Sequence, residues 1–404
     1  MKRKLLSLAA LAACAFAGSA QAQISDGIVK IGVLNDMSGL YSDITGPGSV
    51  TAAKMAVEDY IKASRSTLKV EIVSADHQNK PDVGSNVARQ WFDTDKVDMI
   101  ADVPTSSVGL AVAKIASDKG KLHVNSGSAT ADLSGKACNA NTIHWAYDTW
   151  MLANGTGKAI VKSGGDTWFF LTADYAFGHA LERDTEAVVT KNGGRVVGKV
   201  RTPFPTQDFS SFLLQAQASK AKIIGLANAG GDTTNSIKQA AEFGITKGGQ
   251  NLAGLLVFLP DVHSLGLNIA QGLKLTETFY WDLNDNTRAF TKRFAAANGG
   301  KYPSMVQAGV YSSVIHYLKA VDAAKTDDGT KVAAKMKELP TDDPLFGKGT
   351  VRADGRKIHP AYLFEVKKPA ESKGPYDYYK LVSTIPANEA FRPLAESECP
   401  LVKK

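Results

Sequence analysis

Apolar runs rich in valine and isoleucine alternate with amphipathic stretches over the first third of the chain. The apolar runs predict strands at 29–35, 68–75, 97–103 and 121–126. The stretches between them carry apolar residues at helical spacing and predict helices near 48–64, near 82–94 and from about residue 107. Repeated strand–helix units of this length predict a parallel sheet with helices on both faces.

The same pattern starts again in the middle of the chain. It predicts strands at 167–173, 195–202, 222–229 and 252–258, with helices near 177–192, 208–219 and 233–243. The 404 residues also exceed the usual size of a single hydrophobic core. We therefore predict an α/β protein made of two Rossmann-like lobes, each built on its own parallel sheet.

The pattern changes after a strand-like run at 273–281. Three helical stretches follow without a strand between them, and we expect them to cover the first sheet; they lie near 286–298, 303–323 and 330–338. Strand-like pieces would then complete the second lobe, at 348–354, 359–368 and 378–383. The chain would cross between the lobes three times and so form a three-stranded hinge, near 146–150, 278–284 and 340–346.

These crossings define the predicted domains. The N-terminal lobe comprises 23–147 with 283–342, the C-terminal lobe 148–282 with 343–385, and the C-terminal tail 386–404.

Residues 1–22 have the features of a secretory signal peptide. Three cationic residues precede a short apolar stretch, and a small-x-small site follows at 20–22. We favour cleavage before Gln23 and a released protein. The alternative is a lipobox ending at Cys14, which would leave an acylated, membrane-anchored cysteine.

Removal of the leader changes both the charge and the cysteine count. It takes away three cationic residues and no acid, so the formal charge falls from +7 to +4. Neither a basic stripe with interleaved aromatics nor a second long apolar segment is present, which argues against nucleic acid binding and membrane insertion. Cys138 and Cys399 then remain, and an exported protein would join them in a disulfide. Two buried free thiols are the alternative.

Signatures of metal, cofactor or nucleotide chemistry are missing from the sequence. The seven histidines lie far apart, without HExxH spacing, and the chain has neither a CxxC pair nor a GxxxxGK[ST] loop. We therefore expect no metal, no cofactor and no ATPase activity in this chain.

Two loops at predicted strand ends carry small and hydroxyl residues. Open α/β sheets bind ligands at the carboxyl ends of their strands. At 104–107 a helix begins at Thr105 and Ser106, and its free N–H groups can hold an anion without a countercharge. At 127–130 small residues offer further amides. The simpler interpretation is that Thr105 or Ser106 only caps its helix.

A facing wall is expected from the second lobe. Tyr175 and Phe177 follow one predicted strand, the glycine-containing loop 228–232 follows another, and 258–264 follows a third. Aromatic residues in loops suit the apolar part of a small ligand, but each could instead form an ordinary contact between the lobes.

The ensemble of these features resembles a known family. A leader, the segments 28–60, 103–116 and 173–184, and the three crossings are similar to the periplasmic leucine/isoleucine/valine-binding family, the receptors of branched-chain-amino-acid-type ABC importers. The resemblance covers nearly the whole mature chain and implies the type I periplasmic binding fold. The aromatic-acid-binding branch of the family is similar as well.

The resemblance also implies which residues bind the ligand. In the family, first-lobe hydroxyls and amides hold the ligand carboxylate, which here correspond to Thr105, Ser106, Gly127, Ser128 and Ala129. The ligand side chain would meet the loop after the first strand and the second lobe, which correspond to Tyr41, Ser42, Asp43, Tyr175, Phe177, Asn228, Gly230 and Phe258. The family's acidic partner for an α-ammonium is matched nearest by Asp261.

Asp261 is one methylene shorter than the glutamate usual at that position. This departure makes an aromatic acid without an ammonium a candidate beside branched-chain or hydrophobic amino acids. The implied function is a monomeric periplasmic receptor, not an enzyme, that delivers a small carboxylate to a permease and an ATPase encoded as separate chains. Two alternatives stay open: a secreted hydrolase with Ser128 or Ser106 as nucleophile, and a sensor that signals to a kinase.

Overall fold

Five parallel strands form the first sheet of the computed structural model, which describes residues 24–403. Their order is β2-β1-β3-β4-β5. The strands are β1 (Val29–Asn35), β2 (Val70–Asp76), β3 (Met99–Asp102), β4 (Leu122–Asn125) and β5 (Thr142–His144). The predicted signal peptide, its cleavage site and Cys14 fall outside the described residues.

Three helices connect these strands and confirm the predicted strand–helix alternation. They are α1 (Gly46–Ser64), α2 (Pro81–Asp93) and α3 (Ser106–Asp118). Proline stands within the first two positions of α1 and α2, where its missing N–H would have no helical partner anyway. Because helices cover both faces of the sheet, its strands are near-continuous apolar runs.

The second sheet repeats this design with four parallel strands in the order β7-β6-β8-β9. The strands are β6 (Thr167–Ala173), β7 (Arg195–Thr202), β8 (Ile223–Ala227) and β9 (Asn251–Gly254). The helices up to the end of β9 are α4 (Thr149–Leu152), α5 (Lys158–Lys162), α6 (Ala176–Lys191), α7 (Ser210–Ala218) and α8 (Gly231–Glu242). A π-helical turn, Ala153–Gly157, joins α4 to α5.

Three later helices return to the first sheet, as the sequence predicted. After α9 (Leu259–Leu265), α10 (Leu267–Ala270) and β10 (Lys274–Glu277) come α11 (Asp285–Ala297), α12 (Met305–Ala324) and α13 (Gly329–Glu338). Helix α12 packs along α1 and against β3, and α13 packs against β4. We call the first sheet with these helices the first lobe, and the second sheet with its helices the second lobe.

The last strands form two small antiparallel sheets and do not join the second parallel sheet. Strands β11 (Thr341–Asp343), β12 (Gly347–Val351) and β13 (Lys357–Ile358) form a small antiparallel sheet of their own, tied to the first sheet by a bridge from Arg356 to His144. Strands β14 (Ala361–Val366) and β15 (Tyr379–Ile385) pair with β10 in a second antiparallel sheet. The predicted bounds of the two lobes remain predictions.

The C-terminal tail is folded onto the body of the protein. It contains α14 (Ala387–Ala390), and Phe391 beyond it is buried in the main core. A disulfide joins Cys399 to Cys138, whose Cα atoms are 5.5 Å apart. Among the described residues, no helix combines the length and the apolar character needed to cross a membrane.

Loss of this disulfide is expected to lower stability without loss of the fold. The bridge closes a loop of 261 residues, and loops of that length stabilise by roughly 5–6 kcal/mol in the chain-entropy treatment. We expect the Cys138→Ser, Cys399→Ser double variant to melt at a clearly lower temperature than the unreduced protein. The reduced parent protein should melt at the same temperature as the double variant. If the parent melted at the same temperature before and after reduction, the prediction would be contradicted.

Candidate functional site

A small cavity lies between the carboxyl ends of the two sheets. Five aromatic side chains line it: Tyr41, Tyr147, Tyr175, Phe177 and Phe258. The other lining residues are Ile44, Thr45, Pro104, Thr105, Ser106, Gly127, Ala129, Ala229, Leu256 and Val306. Among the described residues, no charged side chain lines this cavity.

The two lobes touch each other around the cavity. The Tyr41 hydroxyl of the first lobe lies 2.6 Å from the Tyr175 hydroxyl of the second lobe, and the Tyr175 ring stacks on Phe204 at 4.2 Å between centroids. The space open to the centre of a water molecule is about 20 Å³, little more than one water requires. The two lobes are therefore in contact at the cavity, and the space between them is small.

The loop between β3 and α3 has an unusual backbone. Asp102, Val103 and Thr105 all have positive φ angles, of 73°, 62° and 74°. Residues other than glycine rarely adopt this region, and such strain is concentrated at functional sites. The conformation places Thr105 and Ser106 on the cavity wall at the start of α3.

Neither hydroxyl of this loop caps the helix. Thr105 occupies the N-cap position of α3 without a side-chain cap bond, and its Oγ1 donates to Asn79 Oδ1 at 2.5 Å. Ser106 Oγ accepts a hydrogen bond from the N–H of Thr130 at 3.1 Å. Among the described residues no acceptor lies within hydrogen-bond distance of the Ser106 or Ala129 N–H groups. The capping interpretation is therefore wrong, and two amides on the cavity wall are open to a ligand.

The loop after β4 contributes Gly127 and Ala129 to the wall. A Cβ atom on Gly127 would lie 2.6 Å from Asp102 Oδ1 and 2.8 Å from Pro104 N, so only glycine fits beside the β3–α3 loop. Ser128 points away from the cavity: its hydroxyl donates to the carbonyl of Val103 at 2.6 Å, and its N–H to Asn125 Oδ1. Ser128 therefore joins the two loops.

The predicted second-lobe wall is present in part. Tyr175, Phe177 and Phe258 line the cavity, with Ala229 and Leu256 between them. Strand β9 ends at Gly254, four residues earlier than predicted, which leaves Leu256 and Phe258 in a loop that reaches the cavity. Tyr147 crosses from the first lobe and meets Phe258 edge-on at 5.9 Å.

Like Ser128, five other residues that were predicted to bind the ligand do not line the cavity. Ser42 donates to Gly39 O, and Asp43 forms an exposed ion pair with Lys301. Asn228 is buried and accepts from Thr233, and Gly230 packs against Leu40 and Tyr41. Asp261 Oδ2 accepts from the Phe258 N–H at 2.9 Å and so holds the start of α9.

The carboxyls nearest the cavity are buried behind its wall. Burial raises the pKa of Asp102, of Asp232 and of Asp261 to about 7 in each case. Asp102 and Asp232 each keep one oxygen without a hydrogen-bond partner among the described residues. Burial also raises the pKa of Tyr41 and Tyr175, so both stay protonated. These three carboxyls are therefore only partly ionised near neutral pH.

Several lining residues were not singled out from the sequence. Tyr147 lies in the first predicted crossing, and its hydroxyl donates to Gly127 O at 2.8 Å. Val306 lies in the first turn of α12, the helix that was expected to return to the first lobe. A search for aromatic residues within the crossings would have found Tyr147, whereas Ile44, Thr45, Leu256 and Val306 carry no comparable signal.

Two lobes with carboxyl strand ends facing a shared cavity define a two-lobed ligand-binding protein. The profile of the periplasmic binding protein family matches residues 28–374, and the chain belongs to that family. The predicted family resemblance and fold class are thereby confirmed.

Solved structures of related proteins agree with this assignment. A periplasmic binding protein from Burkholderia mallei is 51% identical, with a TM-score of 0.91, over 94% of this chain and 100% of that one. A branched-chain amino acid ABC transporter periplasmic ligand-binding protein from Burkholderia xenovorans LB400 is 42% identical, with a TM-score of 0.82, over 93% and 100% of the two chains. A Leu/Ile/Val-binding protein homolog 6 from Brucella melitensis is 25% identical over 95% of this chain and 97% of its own.

Proposed function

We propose that this protein is the periplasmic receptor of an ABC importer and that it captures a small carboxylate with an apolar body between its lobes. The observation that carries the proposal is the cavity itself. Open amides at the start of α3 face aromatic walls, and no charged side chain among the described residues lines the space. Branched-chain or hydrophobic amino acids and aromatic acids share this chemistry, and the B. xenovorans relative belongs to a branched-chain amino acid transporter.

The carboxylate would be held by the first lobe. The N–H groups of Ser106 and Ala129 supply donors, the hydroxyl proton of Ser106 is free, and the start of α3 favours negative charge. The apolar body would then contact Phe177, Phe258 and their neighbours in the second lobe. Closure brings these contacts together, so the ligand selects the closed form that the permease recognises.

Nothing at the site favours a hydrolase. The Ser128 hydroxyl is buried against a backbone carbonyl, and neither it nor the Ser106 hydroxyl is hydrogen-bonded to a histidine among the described residues. We therefore propose binding without chemical change of the ligand.

A thermal-shift screen of the mature protein tests the function directly. Amino acids, aliphatic acids and aromatic acids are compared with the corresponding amides, which keep the shape and lose the charge. A ligand at 100 times its dissociation constant adds about 2.7 kcal/mol of stability, which raises the melting temperature measurably. A shift with amides or sugars and none with any carboxylate would overturn the proposal.

Ser106→Ala is expected to weaken carboxylate binding at least tenfold. The variant loses a hydroxyl that can donate to a charged ligand, and such bonds contribute about 1.5–3 kcal/mol. Titration calorimetry with a carboxylate from the screen measures the change. Ser107→Ala, one position along α3, is the matched control, because Ser107 does not line the cavity. Equal affinities of the two variants would contradict the assignment.

A further inference from the structure

Three hydroxyl groups that line the cavity donate their protons to the protein. Thr45 Oγ1 donates to Tyr41 O at 3.0 Å, Thr105 Oγ1 to Asn79 Oδ1 at 2.5 Å, and Tyr147 Oη to Gly127 O at 2.8 Å. A hydroxyl has a single proton and two acceptor lone pairs. These three side chains can therefore accept a hydrogen bond from a ligand or contact it through carbon atoms, but they cannot donate a hydrogen bond to it.

Asp36 fixes this polarity at Thr105. The fully buried Asp36 carboxyl accepts from the N–H groups of Gly39 and Tyr41, at 2.7 and 2.8 Å, and from Asn79 Nδ2 at 2.7 Å. Because the Asn79 amide nitrogen is held by Asp36, its oxygen is the atom that faces Thr105. An amide oxygen only accepts, so the Thr105 hydroxyl must donate to it.

The donors of the cavity lie elsewhere. Ser106 Oγ accepts from Thr130, and within the described part of the chain its own proton and the N–H groups of Ser106 and Ala129 make no hydrogen bond. The Tyr41 and Tyr175 hydroxyls form one hydrogen bond with each other. That bond uses one of their two protons, so the other proton can be donated to a ligand. A carboxylate fits the Ser106 side of the cavity, whereas a carboxylate oxygen placed against Thr105 would meet another acceptor.

We propose that Asp36 and Asn79 are positioning residues that make Thr105 an acceptor, so that the site selects carboxylates carrying a hydroxyl or ammonium group over the same skeleton without one. This inference rests on the proposed function. A ligand without such a donor leaves buried acceptors unpaired, and sites built around buried polar groups discriminate against analogues that lack the partner. We expect a preference of about tenfold, the size usual for one hydrogen bond in a buried site.

Two ligand series of constant skeleton test the preference. The first is 4-methylpentanoate, its 2-hydroxy derivative and leucine; the second is benzoate with its three monohydroxy derivatives. Titration calorimetry on the mature protein measures each dissociation constant. At least one donor-bearing member of the series that binds should be about tenfold tighter than its parent carboxylate.

Variants then show whether the preference comes from Thr105. Thr105→Val removes the acceptor with little change of shape, and Asn79→Ala releases the Thr105 proton; both should reduce the preference below threefold. Thr105→Ser keeps the hydroxyl and should keep the preference. Asn192→Ala is the control, since among the described residues the Asn192 side chain is hydrogen-bonded only to Val188 O at the end of α6. The ratio of two affinities within one variant is insensitive to a general loss of stability.

Each outcome decides between the two proposals. If carboxylates bind without a preference for donor-bearing members, or if the preference survives in Thr105→Val, the positioning role of Asp36 and Asn79 is overturned while the proposed function stands. If no carboxylate of either series or of the wider screen binds, both fail. A preference that is lost in Thr105→Val and Asn79→Ala and kept in Thr105→Ser supports the inference.

Discussion

Replacing Asp343 by asparagine is expected to lower the free energy of unfolding by about 3–5 kcal/mol, because it leaves a buried ammonium without its counter-ion. The ammonium belongs to Lys357, whose side chain is fully buried with Nζ 3.3 Å from Asp343 Oδ2. Its charge also lies over the rings of Trp145 and Phe346, at 4.4 and 4.3 Å from their centroids. Chemical denaturation near neutral pH measures the loss.

The pair lies at the last predicted crossing and close to the first. Trp145 precedes the first crossing, and Asp343 lies within the last. Ser312 of α12 donates to Asp343 Oδ2 at 2.8 Å, so the first lobe holds the same carboxylate. Loss of the pair would therefore disturb the packing of this small antiparallel sheet against the first lobe, and the asparagine variant should also unfold less cooperatively.

The pH dependence of the variant has a definite sign. Burial lowers the pKa of Lys357 to about 8, below the usual value near 10.4 of an unfolded lysine. Without Asp343 the pKa of Lys357 falls further, so the unfolded chain binds more protons over a wider range and stability rises with pH there. The deficit of the variant should therefore shrink as the pH rises towards about 8, and it should change little above that, where Lys357 is neutral in both folded proteins.

Low pH should also reduce the stability difference between parent and variant, through protonation of Asp343. Burial alone would raise the pKa of its carboxyl, but the Lys357 ammonium, two backbone N–H groups and the Ser312 hydroxyl hold it below its ordinary value. A depressed carboxyl pKa contributes stability above the unfolded value, about pH 4, and that stability is lost as the pH falls through the folded value. The difference between parent and variant should accordingly narrow below about pH 4.

Two further variants separate the charge effect from packing. The double variant Asp343→Asn, Lys357→Met should regain most of the lost stability, since replacing a buried pair by apolar groups is often neutral. Asp285→Asn removes the carboxylate of an exposed pair with Arg288 and should change stability by less than about 1 kcal/mol. An Asp343→Asn variant as stable as Asp285→Asn would show that Lys357 is solvated.

The order of strands and helices was predictable because both large sheets are covered on both faces. A strand such as Val29–Asn35 is then an apolar run, and its limits coincide with the prediction. Strand Gly347–Val351 is mostly exposed, and the strand-like piece predicted at 348–354 marks its position but not its limits. Its pairing with Lys357–Ile358, and the bridge from Arg356 to His144, depend on contacts with distant parts of the chain that the local pattern does not contain.

The candidate site was predictable where it depends on topology. Thr105, Ser106, Gly127 and Ala129 follow strands β3 and β4, and parallel neighbours bring their carboxyl ends to one edge. The direction of a side chain within a loop is not encoded in that way. Ser42 and Asp43 directly follow Tyr41, yet their side chains contact Gly39 and Lys301 and not the cavity. The buried Asp36 carboxyl sets this loop conformation, because it accepts a hydrogen bond from the Tyr41 N–H.

Gly230→Val is expected to weaken ligand binding about 100-fold by holding the lobes apart. Gly230 belongs to the second lobe, and a Cβ atom there would lie 2.8 Å from Leu40 O and 2.9 Å from the Tyr41 ring of the first lobe. A backbone carbonyl cannot yield as a flexible side chain can, so the closed form loses population. Apparent affinity falls in proportion to the closed fraction, and a penalty of about 3 kcal/mol gives the stated factor.

Gly230 also has a φ angle of 56°, where a β-branched residue is strained in the open and closed forms alike. Gly266→Val isolates that strain, because Gly266 has a φ angle of 73° and open space around its Cβ position. Both variants should melt at a lower temperature than the parent, but only Gly230→Val should lose affinity in calorimetry with a carboxylate from the screen. At a ligand concentration that only just saturates Gly266→Val, X-ray scattering should show a larger radius of gyration for Gly230→Val, because most of that variant is still ligand-free and open. Matching affinities and radii for the two variants would mean that the contact between Gly230 and Tyr41 does not form in the ligand-bound state.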